Sequence, residues 1–265
     1  MYATNYHRAS SLAEAESMIG AADDGKLLAG GQTLIPTMKQ RLAAPSDVVD
    51  LRHVPELKGI SVNGRTVKIG AGTTHAEVAG SSAIKSACPA LAGLASHIGD
   101  PHVRHMGTIG GSIANNDPAA DYPSAMVALG ATIHTNRREI AADDFFTGMF
   151  ETALDDGEII TAVSFDAPDS AAYQKFPNPA SRYAMAGVFV ARNGGSVRVG
   201  VTGAGSDGVY RASDMEAALS GNFSAEALDG IGVDASGMLS DIHGSAEYRA
   251  HLVKVMAKRA VAAAA

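Results

Sequence analysis

Two glycine-rich segments contain the residues of this chain that are best suited to bind an anion. The first is LAGGQTLIP (Leu28–Pro36) and the second is GTIGGSIANND (Gly107–Asp117). Each contains a Gly-Gly pair followed by a polar residue. Glycine permits positive φ and a close approach of the backbone to a ligand, and successive N–H groups in such a turn converge on one anion. The two segments therefore predict phosphate-binding loops built from neutral donors.

The polar residues of these loops extend the same prediction. Thr33, Thr108 and Ser112 add hydroxyl donors, and only Arg104 and His105 place basic side chains beside the second loop. Because two distant parts of the chain share one pattern, we expect a cleft lined by both loops, with an elongated nucleotide lying along it. The alternative, that each loop taken alone is an ordinary tight turn, stays open.

Composition excludes several classes of function. The chain has 265 residues, a hydrophobic content of 46%, a net charge of -7 and no block of Lys and Arg, which is unlike a nucleic-acid-binding protein. No apolar run has the length of a signal peptide or a membrane span. Cys88 is the single cysteine, so the chain has neither an internal disulfide nor a cysteine set for an iron–sulfur cluster. We expect a cytoplasmic globular protein.

Two further glycine motifs are interpreted as turns. GAADDGKL (Gly20–Leu27) resembles a Walker loop, but Leu27 stands where Ser or Thr should meet magnesium, and the motif precedes a strand instead of following one. GAGSDG (Gly203–Gly208) has the spacing of a dinucleotide fingerprint. That fingerprint requires a helix at the loop within a parallel βαβ unit, which the sequence around it does not predict.

A competing cluster of metal-ligand residue types lies in HIGDPHVRH. It contains His97, Asp100, His102 and His105, which could bind a divalent ion and make the protein a metal-dependent hydrolase. The spacing is not the i, i+4 pair of a helical metalloprotease motif, and Pro101 interrupts any single helix through the cluster. We therefore predict no metal site, and these groups instead border the expected nucleotide.

Short alternating elements are expected to hold the first loop. The N-terminal part predicts a small, mostly parallel sheet from a β-α-β order, with helices over 12–19 and 33–43 and strands over 26–31 and 47–51. Further on, strands are expected over 66–74, 132–135 and 158–165, and helices over 89–99 and 122–131, with 107–123 as a loop.

The C-terminal part changes in character. It predicts three strands over 171–176, 184–192 and 196–205, with NGG (Asn193–Gly195) as a hairpin turn between the last two. Helical patterns follow over 214–221, 224–231 and 245–265. Strands followed by helices are typical of an α+β domain.

Two long stretches carry a specific resemblance. LLAGGQTLIPTMKQRLAAPSDVVDL and GDPHVRHMGTIGGSIANNDPAADYPSAMVALGA resemble the FAD-binding (medium) subunit of molybdenum hydroxylases, the family of aerobic carbon monoxide dehydrogenase and xanthine dehydrogenase. The resemblance implies an α+β fold. A two-lobed FAD-binding α/β domain of the vanillyl-alcohol oxidase (PCMH) type would occupy 1–167, with lobes of about 1–55 and 56–167. A C-terminal flavoprotein domain of the carbon monoxide dehydrogenase type would occupy 168–265, with a three-stranded antiparallel sheet and helices.

The resemblance also implies residue roles. Leu28–Leu34 would wrap the FAD diphosphate and Thr108–Ser112 would contact it from the other side, while Asn115, Asp117 and Asp121 would bind hydroxyls of the cofactor. Lys175 would lie near the isoalloxazine ring and Tyr183 would cover one of its faces. Without the resemblance, Lys175 is a solvated strand residue and Tyr183 a core aromatic. The expected cofactor-binding set is Leu28, Ala29, Gly30, Gly31, Gln32, Thr33, Leu34, Thr74, His75, Gly107, Thr108, Ile109, Gly110, Gly111, Ser112, Asn115, Asp117, Asp121, Lys175 and Tyr183.

The function implied by the resemblance is electron transfer. FAD would take electrons from a [2Fe–2S] small subunit and pass them to a quinone, oxygen or another acceptor, and a large subunit that binds molybdopterin would carry out the hydroxylation. A heterotrimer, single or doubled, would follow. Two alternatives stay open: a self-contained FAD-dependent oxidoreductase of the same fold superfamily, and a nucleotide-binding module without redox activity. The substrate of the complex and the physiological acceptor are not encoded in this chain.

Overall fold

Three sheets covered by helices, and one short hairpin, make up the computed structural model, which describes residues 1–264. The first sheet is parallel, with strand order β1-β3-β2. Its elements are β1 (Asn5–Arg8), α1 (Leu12–Gly20), β2 (Gly25–Leu28), α2 (Leu34–Lys39) and β3 (Asp47–Asp50). Helix α1 begins where the Ser11 side chain accepts a hydrogen bond from the N–H of Glu14. The small parallel sheet was expected, whereas strand β1 had no sequence signal that we recognised.

Two elements of this sheet are shorter than their sequence patterns predict. The strand expected over 26–31 ends at Leu28, because the chain turns at Gly31, where φ is 71°. The helix expected over 33–43 ends at Lys39, and Arg41 then adopts a left-handed φ of 63°. Both ends depend on backbone angles that the apolar pattern does not report.

The second sheet is antiparallel, with strand order β4-β5-β10-β6-β7. Before its third strand in sequence come β4 (Ile60–Asn63), β5 (Thr66–Gly70), α3 (His75–Gly80), α4 (Ser82–Ala87), α5 (Pro89–Ser96), α6 (Pro101–Met106), α7 (Ile109–Asn115) and α8 (Tyr122–Leu129). The remaining elements are β6 (Thr132–Thr135), β7 (Glu139–Ala141), α9 (Ala142–Phe145), the hairpin of β8 (Phe146–Gly148) and β9 (Glu151–Thr152), and β10 (Ile160–Asp166).

Helix α7 corrects the prediction of a loop over 107–123. The Thr108 side chain accepts a hydrogen bond from the N–H of Gly111 at 3.1 Å and so caps the helix. Ile109 and Ile113 anchor it in the core, and Asn116 ends it with a left-handed φ of 42°. The glycine content that favoured a loop is outweighed by this cap and by burial of the two isoleucines.

The third sheet is antiparallel and follows the order of the chain. It consists of β11 (Ser170–Pro177), β12 (Ala184–Asn193), β13 (Ser196–Thr202) and β14 (Tyr210–Arg211), and it is followed by α10 (Ser213–Gly221) and α11 (Ala246–Ala264). The three expected strands and the NGG turn are present, with β14 as a short fourth strand. The helix expected over 224–231 is only a 3-10 turn over Ala225–Leu228. Two more 3-10 turns lie at Pro55–Leu57 and Ala235–Gly237.

Both glycine motifs that were interpreted as turns lie at turns. Gly20–Leu27 spans the end of α1 and the start of β2, and Gly203–Gly208 lies between β13 and β14. Helix α8 is buried along its whole length, packed against the third sheet on β12 and β13 and against α5, α7 and α9. None of the helices within residues 1–264 has the length and apolar composition of a membrane span.

Candidate functional site

Both predicted glycine loops line one cavity of about 750 Å³. Gly30 and Gly31 come from the turn between β2 and α2, and Gly110 and Gly111 come from the start of α7. The cavity lies where the first and second sheets meet, and Tyr183, just before β12, also lines it. Its volume is within the usual range for a site that holds a cofactor.

The two loops touch through their backbones, which requires glycine at their contact. A Cβ atom on Gly30 would lie 2.0 Å from the carbonyl oxygen of Met106 and 2.6 Å from Cα of Gly107. A Cβ atom on Gly110 would lie 2.5 Å from Cβ of Ala71. Because no side chain fits at either place, the glycines allow three segments to form one continuous wall.

The first loop presents free N–H groups. After β2 the chain turns at Gly31, and the N–H groups of Gly30, Gly31, Gln32 and Thr33 donate to no acceptor within residues 1–264. Free amides of consecutive residues form an anion-binding concavity. This loop can therefore bind an oxyanion without a basic side chain.

Most amides of the second loop already have acceptors within the protein. The N–H of Ile109 donates to the carbonyl of Thr73 at 3.1 Å, that of Gly110 to the carbonyl of Ala71 at 2.8 Å, and that of Gly111 to the Thr108 hydroxyl. These bonds hold the loop against the segment that follows β5. The second loop can offer a ligand the N–H of Thr108, which donates to no acceptor within residues 1–264, and side chains such as the Ser112 hydroxyl.

His75 connects the second loop to the segment after β5. Its N–H donates to the carbonyl of Gly107 at 3.0 Å, and its imidazole lines the cavity with only 5% of the residue exposed. The Nδ1 atom is buried without a hydrogen-bond partner in the described part of the chain. Burial, helped by the charge of Arg104, lowers the pKa of His75 to about 4. The imidazole is therefore neutral near pH 7.

Asn115 at the end of α7 and Asp117 and Asp121 after it line the cavity, as the sequence predicts. Burial raises the pKa of Asp117, whose carboxylate accepts a hydrogen bond from the N–H of Ala119 at 2.9 Å. Asn116, which we did not predict, is buried beside them, and its side-chain amide donates to the carbonyls of Gly148 and Glu151, each at 2.8 Å. It fastens the end of α7 to the β8–β9 hairpin.

Asp121 and Lys175 form a buried ion pair at the cavity wall. The Lys175 Nζ atom lies 2.9 Å from Oδ1 and 3.1 Å from Oδ2 of Asp121, and both side chains are 6% exposed. Asp121 lines the cavity and Lys175 does not. Lys175 is thus not a solvated strand residue, and Tyr183, which is 51% exposed, is not a core aromatic.

Most of the expected cofactor-binding set comes together at this cavity. The residues that do not line it are Thr74, Ile109 and Lys175. The Thr74 side chain caps α3 through Glu77, and Ile109 is buried in the core.

The cavity lining also contains residues that we did not predict. Arg52 follows β3 and is held by Asp50, with its Nη2 atom 2.6 Å from Oδ2. Glu158 precedes β10, and Arg138 holds the pKa of its carboxyl near 2. Arg52 could have been found, since it follows the carboxyl end of a parallel strand beside the first loop. Glu158 and the apolar residues around it had no sequence signal.

The alternative metal cluster does not form. The Asp100 carboxylate caps α6 by accepting a hydrogen bond from the N–H of Val103, and the His105 Nδ1 atom lies 2.6 Å from the carbonyl oxygen of Pro101. Within residues 1–264, no group of three or more His, Cys, Asp and Glu is arranged to hold a metal ion. The geometry therefore gives the hydrolase alternative no support.

Comparison with known families yields two matches along the chain. The family described as the FAD binding domain in molybdopterin dehydrogenase matches residues 2–167. The family described as the CO dehydrogenase flavoprotein C-terminal domain matches residues 171–264.

Individual relatives agree over nearly the full length. The chain is 36% identical to the nicotine 6-hydroxylase medium subunit of Paenarthrobacter nicotinovorans, covering 98% of this chain and 96% of the relative. It is 35% identical to the carbon monoxide dehydrogenase medium chain of Afipia carboxidovorans, covering 97% and 95%. A crystal structure of the cyanide-inactivated Cu,Mo-CO dehydrogenase aligns with a TM-score of 0.91 at 35% identity, covering 100% of this chain and 98% of that chain.

Proposed function

This chain belongs to the FAD-binding subunits of the molybdenum hydroxylase family, and we propose that its FAD carries electrons from a [2Fe–2S] subunit to a quinone, oxygen or another acceptor. The chain is accordingly an oxidoreductase subunit with FAD as its cofactor. The observation that best supports the proposal is the meeting of the two glycine loops at one cavity, with four free N–H groups on the first loop.

The residues of the cavity fit FAD. The free amides of Gly30–Thr33 would hold the diphosphate, with the Ser112 hydroxyl as a further donor. The chain is acidic overall and has few basic side chains at the cavity, so neutral amides and hydroxyls would be the main donors to the diphosphate. Asn115, Asp117 and Asp121 would accept from hydroxyl groups of the cofactor.

Tyr183 and Lys175 would act at the ring end. When bound, FAD supplies a carrier that accepts electrons singly from an iron–sulfur cluster and releases them in pairs. Tyr183 would lie over one face of the ring and limit the access of solvent and oxygen. Lys175 does not line the cavity, so its positive charge, which Asp121 balances, would influence the ring without touching it.

Partner subunits would supply the other redox centres. The only cysteine, Cys88, is buried in the core, so this chain has no cysteine set for a cluster. We infer a heterotrimer with a [2Fe–2S] small subunit and a molybdopterin-binding large subunit, single or doubled. We also infer a domain division at 167/168, with lobes of about 1–55 and 56–167. The cytoplasmic location stays a prediction from the sequence.

The test is to purify the chain with its co-expressed partners and to record the visible absorption spectrum during substrate reduction. We expect flavin absorbance that bleaches only when the large and small subunits are present. A complex without flavin absorbance after reconstitution with FAD contradicts the proposal. Bleaching of the lone chain by a small organic substrate favours a self-contained oxidoreductase instead.

A further inference from the structure

A buried cluster of three polar side chains lies where α8 meets β11. Lys175 and Tyr173 both come from β11, and both reach Asp121, which immediately precedes α8. The Tyr173 hydroxyl donates to Oδ1 of Asp121, and Lys175 contacts both carboxylate oxygens. Lys175 also donates to the carbonyl of His97 at 3.3 Å. Of the three, only Asp121 lines the cavity.

The position of the Tyr173 hydroxyl depends on a glycine in the neighbouring strand. Gly187 of β12 pairs with Lys175, and a Cβ atom on Gly187 would lie 2.4 Å from the Tyr173 hydroxyl oxygen. The Tyr173 ring packs beside Phe189, with the ring centroids 6.2 Å apart. The tyrosine is thus seated in a notch of the sheet that directs its hydroxyl to the carboxylate.

We propose that Tyr173 is a positioning residue that fixes the orientation and ionisation of Asp121 in the cofactor cavity. A carboxylate offers about four lone-pair sites. Tyr173 and Lys175, which do not line the cavity, occupy some of these sites, and the remaining lone pairs can accept a hydrogen bond from a hydroxyl of FAD. This inference rests on the proposed function, because it takes a hydroxyl of FAD as the group that donates a hydrogen bond to Asp121.

The charge of the cluster is suited to a cavity that binds a diphosphate. Asp121 and Lys175 together carry no net charge, so the acceptor is present without repelling the phosphates. Burial raises the pKa of Asp121, and Tyr173 and Lys175 oppose that shift. Loss of the Tyr173 hydroxyl therefore favours the protonated form of the Asp121 carboxyl. A protonated carboxyl donates a hydrogen bond, whereas the hydroxyl of FAD needs an acceptor at this position.

The other groups that face Asp121 are known from the packing around it. They are His97 at the end of α5, Asp117 and Tyr122 on either side of it in sequence, Tyr183 before β12, and the two β11 residues. His97 is the one imidazole among these groups. A variant that lacks it is therefore the control for its influence on Asp121.

The experiment measures the affinity of the whole 265-residue chain for FAD by fluorescence titration, from about pH 4 to about pH 8, so that a carboxyl group with a raised pKa is covered. For Tyr173→Phe we expect affinity near neutral pH to fall roughly tenfold, the usual effect of losing a hydrogen bond to a charged group. We also expect its loss of affinity on acidification to begin at a higher pH than in the unchanged chain. The shift should persist when His97→Gln is added to both proteins.

Two further variants complete the test. Tyr210→Phe is the matched control, because this hydroxyl contacts only the Met238 sulfur, at 3.9 Å, and Tyr210 does not line the cavity. It should keep both the affinity and the pH profile. Gly187→Ala fills the notch and should shift the pH profile in the same direction as Tyr173→Phe, which provides a second reading if the phenylalanine variant fails to fold.

The outcomes separate the two proposals. If the unchanged chain does not bind FAD, the proposed function is wrong. If it binds FAD and Tyr173→Phe has an unchanged pH profile, the positioning role of Tyr173 is wrong, whether or not the affinity falls. A shifted profile in Tyr173→Phe together with an unshifted one in Tyr210→Phe supports the role.

Discussion

Gly30 and His75 define the cofactor cavity at the scale of single residues. Gly30 allows the first loop to touch the backbone of Met106 and Gly107, and His75 closes the same region from the segment after β5. Neither residue provides a charge near neutral pH. The cavity wall at this point is therefore set by close contact and by hydrogen bonds between neutral groups.

Replacing Gly30 by alanine should separate the two loops. The added Cβ atom would lie 2.0 Å from the Met106 carbonyl oxygen, so one backbone must move. We expect FAD affinity to fall at least about tenfold and the free energy of unfolding to drop by about 1–3 kcal/mol, as for other overpacked sites. Fluorescence titration and urea unfolding measure the two effects.

Gly93→Ala in α5 is the matched control for that change. No atom lies within 4 Å of a Cβ atom built at Gly93. A helical alanine there should leave FAD affinity unchanged and stabilise the chain slightly. Equal affinities for Gly30→Ala and Gly93→Ala would show that the loop contact does not shape the cavity.

His75 should make the stability of the FAD-free chain fall in acid. Its pKa is about 4 in the folded chain, against an ordinary value of 6.5, so the unfolded chain binds the proton first as pH falls. Stability is then complete above about pH 6.5 and decreases below it, by about 3 kcal/mol at pH 4.

Urea unfolding at a series of pH values checks this expectation. His75→Gln should reduce the slope between about pH 6.5 and about pH 4, whereas replacing the exposed His251 by Gln should not. An identical slope in His75→Gln would mean that other groups dominate the acid sensitivity.

At the scale of elements, α7 and the β8–β9 hairpin depend on each other. Asn116 ends the helix in a left-handed conformation, and its side chain holds Gly148 and Glu151 of the hairpin. The N–H of Phe150 also donates to the carbonyl of Asn116 at 3.1 Å. A single residue thus ends the helix and holds the turn of the hairpin.

Asn116→Ala should destabilise the chain by about 3 kcal/mol, from two lost hydrogen bonds of about 1 kcal/mol each and about 1 kcal/mol for alanine in a left-handed conformation. Asn116→Gly loses the same bonds but tolerates the backbone angle, so it should cost about 1 kcal/mol less. Urea unfolding measures both variants. A larger loss for glycine than for alanine would contradict this account of the helix end.

The limits of sequence reasoning appear in these elements. Apolar periodicity and turn residues located the strands from β2 to β13 that pack in the core, because those patterns report burial directly. Helix α7 was mistaken for a loop, since its stability comes from the Thr108 cap and from tertiary contacts of Ile109 and Ile113. Strand β1 is mostly exposed and has no clear alternation.

The candidate site shows the same division. The glycine loops and the acidic residues after α7 could be predicted because their residue types are needed for the chemistry. The pairing of Lys175 with Asp121 could not be predicted, since the two are distant in sequence and meet only when β11 packs against α5 in the folded chain. Glu158, which also lines the cavity, is likewise held by an ion pair with Arg138 that the sequence does not reveal.

At the scale of the whole molecule, the cavity is lined mainly by residues up to β10, and residues after β10 complete it. Arg198 and Thr202 of β13 donate to the carbonyls of Val127 and Ala120 at 2.8 Å and 2.6 Å, and so attach the third sheet to α8 and the chain before it. Tyr183 reaches the cavity from the same sheet. The resemblance to the family predicted both parts of the chain, but the hydrogen bonds that join them could be identified only in the structure.

The unequal use of amides in the two glycine loops has a kinetic consequence. The N–H groups of Ile109 and Gly110 are bonded to carbonyls, whereas those of Gly30–Thr33 have no acceptor within residues 1–264. In deuterated buffer the FAD-free chain should exchange amide hydrogens rapidly over 30–33 and slowly at 109 and 110. Adding FAD should slow exchange in the first stretch alone, as followed by mass spectrometry of peptic fragments. Equal slowing in both stretches would mean that the amides of the second loop also change their hydrogen bonding when the cofactor binds.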